Sequence, residues 1–292
     1  MRNADFWIDA SGTAAMRYVG RLAPSPTGLL HLGHAATFYT AFLRAQEHGG
    51  LLLLRNEDLD PQRSRPEFVQ AIVEDLAWLG ISWDPPMLSQ SSRLPAYRTA
   101  FERLLRTGLV YPCTCSRREL ATMIHAPHDE QDEPVYPGRC RPIAPAPLFS
   151  IDPMASYRFR VPAGETIRFT DRNLGQQAFT AGQHFGDFLV WGRGVALGSP
   201  GLPSYQLACV EDDAYSGITE VVRGADLLRS SARQILLQSA LAHLPVHYFH
   251  TPLLRDADGV RLAKRHDPLA IRTLRLQGLT PAEVLARAHA PH

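Results

Sequence analysis

The stretch Arg17-Tyr-Val-Gly-Arg-Leu-Ala-Pro-Ser-Pro-Thr-Gly28-Leu-Leu-His31-Leu-Gly33-His34 decides the fold. Arg17 to Leu22 predicts a short strand, and Ala23 to Gly28 breaks it with two prolines and a glycine, so a loop follows. From Gly33 to His48, Phe38, Phe42 and Leu43 with the small Ala35 and Ala41 suit a helix closed by Gly49-Gly50, and Leu51 to Leu54 predicts a buried strand. Strand, glycine-bearing loop, helix and strand within about 40 residues make a βαβ unit, whose two strands run parallel. The fold class follows as α/β, a doubly wound Rossmann-like parallel sheet.

Further along, Pro66 to Leu79 predicts an amphipathic helix with Phe68, Ile72, Leu76 and Leu79 on one side. Leu94 to Arg106 repeats the pattern through Tyr97, Phe101 and Leu105. Ser116-Arg-Arg-Glu119 is a capping box, but proline, glycine and charge dominate from Ala126 to Pro153, which marks an inserted subdomain. Strands are expected at Tyr157 and Thr166, and Asp187-Phe-Leu-Val-Trp191 reads as re-entry into the main sheet. A helix over Ser204 to Asp213, a strand over Thr219 to Arg223, a helix over Asp226 to Leu241 and a strand over Val246 to His250 complete the core. Thr280-Pro-Ala-Glu283 opens a final helix with a second capping box.

The chain has 292 residues, 45% of them hydrophobic, enough for a buried core, and no stretch approaches membrane-spanning length. The opening MRNADFWIDASG lacks the basic start and apolar run of a secretory signal, so a soluble cytoplasmic protein is expected. Met16 directly precedes the first strand, and residues 1–16 read as an N-terminal tail or an alternative start. A formal net charge of +1 does not advertise a nucleic-acid binder. The 30 basic residues include a single lysine, Lys264, so that one position keeps a compact ammonium where arginine is otherwise used. Four cysteines at 113, 115, 140 and 209 form a poor disulfide framework without a secretion signal, and reduced thiols or a metal site are the alternatives.

The loop between the first strand and helix is where such folds hold phosphates. Gly28 and Gly33 allow backbone to approach a nucleotide, and His31 and His34 at the helix start can donate to phosphoryl oxygens and stabilise charge developing there. Taken alone, the His-x-x-His spacing favours a turn with incidental histidines, and the full eleven-residue string reverses that reading.

The full string PSPTGLLHLGH resembles the first nucleotide motif of class I aminoacyl-tRNA synthetases in their glutamyl form, and Arg261-Leu-Ala-Lys264-Arg265 resembles the mobile lysine loop of that family. Arg261 stands where many relatives have lysine, and Ala263 where they commonly have serine. The resemblance runs from about Arg17 to about Pro268 and implies ATP, used with Mg2+, as substrate. His31, His34 and Lys264 are then the catalytic set, with Gly28 and Gly33 completing the ATP site. It implies glutamate binding by Arg21 and Arg223, whose planar guanidinium groups suit carboxylates. Glu57 receives the amino group, Tyr205 lines the pocket, and Ala23 and Ser25 add backbone and hydroxyl contacts. Each has a plain alternative: a surface charge, a turn cap or a core ring.

Cys113-Thr-Cys115 with Tyr136-Pro-Gly-Arg-Cys140 resembles the zinc site of a shortened branch of the glutamyl enzymes. The implied ligands of one structural Zn2+ are Cys113, Cys115, Tyr136 and Cys140, with His125, His128 or a water as alternatives to the tyrosine. Cys209 reads as a buried thiol. That branch places glutamate on queuosine in the anticodon of tRNA(Asp). The implied partners are therefore L-glutamate, ATP and queuosine-containing tRNA(Asp), with phosphates met by arginines around Arg229, Arg233, Arg272 and Arg275, no membrane, and a monomeric state. The expected division is a tail at 1–16, a catalytic domain at 17–112 and 187–255, a zinc-containing insertion at 113–186, and a lysine loop with a short helical C-terminal segment at 256–292 and no anticodon-binding domain. Two other readings compete: a truncated synthetase charging the 3′ end of tRNA(Glu), and a catalytically silent glutamate- or RNA-binding module.

Overall fold

The computed structural model describes residues 6–8, 14–116, 119, 135–194, 201–254 and 270–290. Within the span read as a tail, β1 (Phe6–Ile8) and β2 (Ala14–Met16) pair antiparallel. The expected βαβ unit is present as β3 (Val19–Leu22), α1 (Leu32–Glu47) and β4 (Leu51–Asn56), in parallel register from Val19↔Leu51 to Leu22↔Leu54. Helix α1 buries Leu32, Ala35, Ala36, Phe38, Ala41 and Ala45, a stripe at helical spacing that faces the sheet core. At its end the chain turns back directly over the start of β3. A Cβ at Gly50 would lie 2.4 Å from the Tyr18 carbonyl oxygen, so only glycine lets the Leu51 N–H reach that oxygen at 2.9 Å.

Helix α2 (Pro66–Trp78) returns the chain to β5 (Asp84–Ser89), which extends the parallel sheet on the far side of β4. The alternation test passes over β5 because Pro85 and Pro86 occupy it, and an edge strand is where proline is tolerated. Next come α3 (Leu94–Arg106), β6 (Val110–Cys113), β7 (Ser156–Phe159), β8 (Thr166–Asp171), β9 (Gly175–Thr180) and β10 (Phe188–Trp191). Helix α4 (Tyr205–Tyr215), β11 (Glu220–Gly224), α5 (Leu228–Ala240) and β12 (His247–Thr251) follow, and α6 (Ile271–Leu276) and α7 (Pro281–His289) close the described chain. Thr280 and Glu283 form the expected capping box of α7.

Two pairings differ from the sequence expectation. The run Phe188–Trp191 does not re-enter the parallel sheet; it pairs antiparallel with β7, which pairs antiparallel with β6. Strand β8, expected within the insertion, joins the main sheet through a parallel pairing of Asp171 with Tyr248 on β12, and forms a hairpin with β9. An apolar run shows that a strand is buried but not which strand it meets, because the partner is chosen by long-range packing.

Strands β11 and β12 are parallel from Glu220↔His247 to Gly224↔Thr251. They lie on the side of β3 opposite β4: the Thr219 N–H donates to Val19 O at 2.9 Å, and the Val19 N–H donates to the Thr219 hydroxyl at 2.9 Å. Buried Glu220 staples this junction, accepting from the Tyr18 hydroxyl, Arg44 and Arg172. The chain thus proceeds from β3 outward one way and later fills the other side, so the crevice between the ends of β3 and β11 is the topological switch point, where α/β sheets hold ligands. Apolar cores flank the sheet. One joins α1, α2, β3 and β4 to α6 and α7 through Leu22, Leu54, Leu76, Ile271 and Val284. The other joins α3, α4 and α5 to β6, β7 and β10, with Phe101 stacked on Trp191 at 4.8 Å. Among the described residues no helix is long and apolar enough to cross a membrane.

Candidate active site

Strand β3 ends at Leu22, and the proline-rich loop leads to His31, the N-cap of α1. The Nδ1 atom of His31 accepts from the Gly33 N–H at 3.1 Å, and Nδ1 of His34 accepts from the His31 N–H at 3.2 Å. Two imidazoles therefore form the capping box usually built from a hydroxyl and a carboxylate. Their centroids lie 3.9 Å apart. With Nδ1 accepting, a neutral ring carries its proton on Nε2, so each histidine is a donor at its far edge. The ring of His31 folds so closely over the helix start that a Cβ at Gly33 would lie 3.1 Å from it, while at Gly28 a Cβ would meet nothing within 4 Å. The helix dipole and the two imidazole donors meet at the start of α1, as an anion site requires.

Lys264 with its loop, Arg261 to Pro268, lies outside the described residues, as do His125 and His128. The flanks of the lysine segment are both tied to α1. On one side the Thr251 and Thr37 hydroxyls hydrogen bond at 2.9 Å; on the other, Ala270 bridges His31 and the Ile271 N–H donates to Leu30 O at 2.8 Å.

Arg21 and Arg223 occupy the crevice walls, both buried. Arg21 Nη1 donates to Val222 O at 2.9 Å, filling the gap that opens between β3 and β11, and its Nε lies 3.6 Å from Asp213 Oδ1. Arg223 donates from Nη1 to the Tyr205 hydroxyl at 3.4 Å and to Gln234 Oε1 at 2.9 Å, and from Nη2 to the Ser231 hydroxyl at 2.8 Å. Tyr205, at the start of α4, is 37% exposed, which leaves part of its ring on the crevice. The Glu57 N–H donates to Pro24 O at 3.0 Å, fastening the proline loop to the end of β4. Ala23 is half-buried and Ser25 exposed, and the Ser25 carbonyl accepts from the Thr27 N–H at 2.8 Å.

An ion network lies beneath the crevice, and of its charged members only Glu57 was legible in the sequence. Arg55, fully buried, joins Glu57 Oε1 at 3.0 Å to Asp213 Oδ1 at 2.5 Å, with the Cys209 thiol 3.4 Å from the same Glu57 oxygen. Asp212 accepts from Arg93, Gln90 and Tyr97. Adjacent acids in VEDD directly after the apolar run Leu207 to Val210 were the available signal. His250 and Asp171 were also passed over. His250 Nδ1 lies 2.6 Å from Asp171 Oδ2, and Arg223 Nε donates to His250 Nε2 at 3.2 Å. Burial first, and then the Arg223 charge, push the imidazolium of His250 down to about 4 against the pull of Asp171, so the ring is neutral.

The arginines expected to meet RNA divide. Arg233 is 6% exposed, which removes it from a surface contact, and Arg272 is engaged by Glu74. Arg229 is half-buried, and exposed Arg275 lies over the Trp78 ring.

At the insertion, the Cys113, Cys115 and Cys140 sulfurs lie within 4.8 Å of one another. Cys115 and Cys140 are 3.6 Å apart, and the Tyr136 hydroxyl lies 3.5 Å from Cys113 and 3.6 Å from Cys115. A tetrahedral zinc with Zn–S near 2.3 Å and Zn–O near 2.0 Å has S···S edges of about 3.8 Å and S···O edges of about 3.5 Å. The donor set fits that ion, with the phenol oxygen as fourth corner held by the Cys140 N–H at 2.9 Å. Arg158 donates to Cys113 at 3.4 Å and lies 4.0 Å over the Tyr136 ring, a cation placed to offset excess thiolate charge. Burial alone would raise the Cys140 thiol, but hydrogen bonds from Tyr136, the Thr114 backbone and the other thiols bring it down to about 6. Purified protein is expected to hold about one zinc per chain and Cys140→Ser to lose it, read by elemental analysis. An active, metal-free native protein would leave the three cysteines as ordinary thiols.

The family described as tRNA synthetases class I (E and Q), catalytic domain, matches residues 18–287. The Glutamyl-Q tRNA(Asp) synthetase of Nitratidesulfovibrio vulgaris is 43% identical over 276 residues, 91% of this chain and 83% of that protein. The protein of the same name from Pseudomonas aeruginosa is 42% identical over 283 residues, 94% of this chain and 89% of its own length. The crystal structure of a glutamate tRNA ligase from Elizabethkingia meningosepticum in complex with its amino acid aligns with a TM-score of 0.69 at 27% identity over 85% of this chain; this chain spans 52% of that one.

Proposed function

The chain belongs to the class I tRNA synthetase (E and Q) catalytic-domain family, and we propose that it activates glutamate with ATP and transfers the glutamyl group to queuosine in the anticodon of tRNA(Asp). Arg21 and Arg223 take the carboxylate of the glutamate side chain. Glu57 takes the ammonium through Oε2, since Arg55 and the Cys209 thiol meet it at Oε1. Tyr205 lines the pocket, and Ala23 and Ser25 supply the remaining contacts. Gly28, Gly33, His31, His34 and Lys264 hold ATP, with Mg2+ on its phosphates. The α-carboxylate oxygen attacks the α-phosphorus, and the bond to pyrophosphate breaks. Negative charge growing on the phosphoryl oxygens is met by the two imidazole donors, the start of α1 and the lysine. A hydroxyl of the queuosine cyclopentenediol then attacks the adenylate carbonyl, loses its proton, and AMP leaves. Zinc, held by Cys113, Cys115, Tyr136 and Cys140, supplies structure only. In this reading the protein works as a cytoplasmic monomer.

The observation that carries the activation step is the convergence of two buried guanidinium groups on a crevice beside a helix start capped by two histidines. The acceptor rests on the relatives named for tRNA(Asp), matched over most of their length, and on chemistry. Queuosine bears vicinal hydroxyls like the ribose diol of a terminal adenosine, and RNA loops present splayed bases.

The test supplies labelled glutamate and ATP with tRNA(Asp) containing or lacking queuosine, then digests the RNA to separate the 3′ end from the anticodon. Label is expected in the anticodon fragment, only when queuosine is present, and lost after periodate treatment of the tRNA. Label on the terminal adenosine, or equal charging of unmodified tRNA, would assign the acceptor to the 3′ end instead. Failure of pyrophosphate exchange with glutamate would remove the activation step as well.

A further inference from the structure

Arg223 is unusual among the buried arginines around the crevice. Arg55 is bound directly by Glu57 and Asp213, and Arg21 lies 3.6 Å from Asp213. Arg223 makes four hydrogen bonds, to His250 Nε2, the Tyr205 and Ser231 hydroxyls and Gln234 Oε1, and every acceptor is neutral. A guanidinium buried with no carboxylate against it, among the described residues, carries a large desolvation cost. Its counter-charge stands one ring away. Asp171 is 1% exposed and ionised: although burial opposes it, the hydrogen bond from His250 and those from the Leu174 and Asn173 N–H groups hold its carboxyl below the usual range.

The tautomer of His250 follows from these contacts. Arg223 can only donate, so His250 Nε2 must present its lone pair, and the proton must sit on Nδ1, facing Asp171 Oδ2 at 2.6 Å. The carboxylate thus polarises the imidazole, and the imidazole fixes the plane of the guanidinium through Nε. A carboxylate in direct contact would neutralise Arg223 and compete with an anionic ligand. With nothing there, Nε would lose its acceptor, and only the contacts of Nη1 and Nη2 with Tyr205, Gln234 and Ser231 would hold the cation.

We infer that His250, oriented by Asp171, is a positioning residue that holds Arg223 in plane and charged for the side-chain carboxylate of glutamate. The inference rests on the proposal that Arg223 binds that carboxylate. It also gives strand β8 a role at the site, because Asp171 ends β8 where that strand pairs with Tyr248 of β12.

Two amide substitutions separate positioning from mere packing. In His250→Gln, the longer amide can set an oxygen where Nε2 stood and still meet Arg223. In His250→Asn, the shorter amide can satisfy Asp171 but not reach Arg223. Glutamate-dependent pyrophosphate exchange should show KM for glutamate close to the parent in His250→Gln. In His250→Asn it should rise roughly tenfold to a hundredfold, the scale of one charge-assisted hydrogen bond, with KM for ATP unchanged. Asp171→Asn should raise the same constant, since an amide N–H toward Nδ1 forces the proton to Nε2, against a donor. Equal glutamate KM in His250→Gln and His250→Asn, or a rise in both constants together, would overturn the positioning role. Circular dichroism identifies any variant that fails to fold, and folded Asp171→Asn with parental glutamate KM would overturn it independently. A parent protein with no glutamate-dependent exchange would instead count against the proposed function.

Discussion

Lys264→Ala is expected to lower glutamate-dependent pyrophosphate exchange by roughly 10²–10³-fold, the scale of losing one group that stabilises transition-state charge. Glutamate binding, read by calorimetry, should be nearly unchanged, because the proposed amino-acid contacts are made from β3, β4, α4 and β11 rather than from the lysine segment. The flanks of residues 255–269 supply the physical reason. Thr251 is fastened to Thr37, and Ala270 to His31, so both ends of the segment are secured on the first turns of α1. From Ala270 back to Lys264 the chain reaches at most about 20 Å, which keeps the ammonium within range of whatever the helix start binds. Lys264→Arg should also be impaired. A planar fork on a chain of different length does not reproduce a compact point charge. Exchange at the parental rate in Lys264→Ala would mean that the phosphates are met by His31, His34 and the helix terminus alone.

Legibility in the sequence tracks the range of the interactions involved. The unit β3–α1–β4 could be read because each part carries a local signal: apolar alternation, a proline and glycine loop, a helical stripe and a terminating Gly49-Gly50. Strand β5 could not, since Pro85 and Pro86 erase the alternation that its edge position makes unnecessary. The run at 188–191 was recognisable as a strand but assigned to the wrong sheet, because DFLVW shows burial and says nothing about β7. The same division applies to the candidate site. Arg21, His31 and His34 sit in or beside one recognisable string, and Glu57, Arg223 and Tyr205 in three others. Asp171 and His250 meet at 2.6 Å across 79 residues, and neither FTDRN nor YFHT differs locally from an ordinary strand end. Asp213 and Arg55 meet across 158 residues in the same way. Cysteine spacing suggested three thiols and the family resemblance added Tyr136, whereas the fit of its oxygen as a fourth corner required distances.

Activation of glutamine is expected to be weaker than activation of glutamate by roughly thirtyfold to several thousandfold in kcat/KM, corresponding to about 2–5 kcal/mol for a buried charge left without its partner. The geometry makes the reason specific. Arg21 offers Nε with no hydrogen-bond acceptor, and the nearby Asp213 oxygen is already held at 2.5 Å by Arg55. Arg223 contacts only neutral acceptors among the described residues. The pocket therefore holds positive charge that the protein does not fully neutralise, and a carboxylate satisfies it with two acceptor oxygens. Glutamine presents one acceptor and one N–H donor, and the donor faces groups that can only donate. Arg223→Gln should lose activity with glutamate and narrow the ratio, because the new amide offers both a donor and an acceptor. Competing labelled glutamate and glutamine in pyrophosphate exchange measures both quantities. Comparable kcat/KM for the two amino acids in the parent protein would show that the uncompensated charge at Arg21 and Arg223 serves a group other than the glutamate side chain.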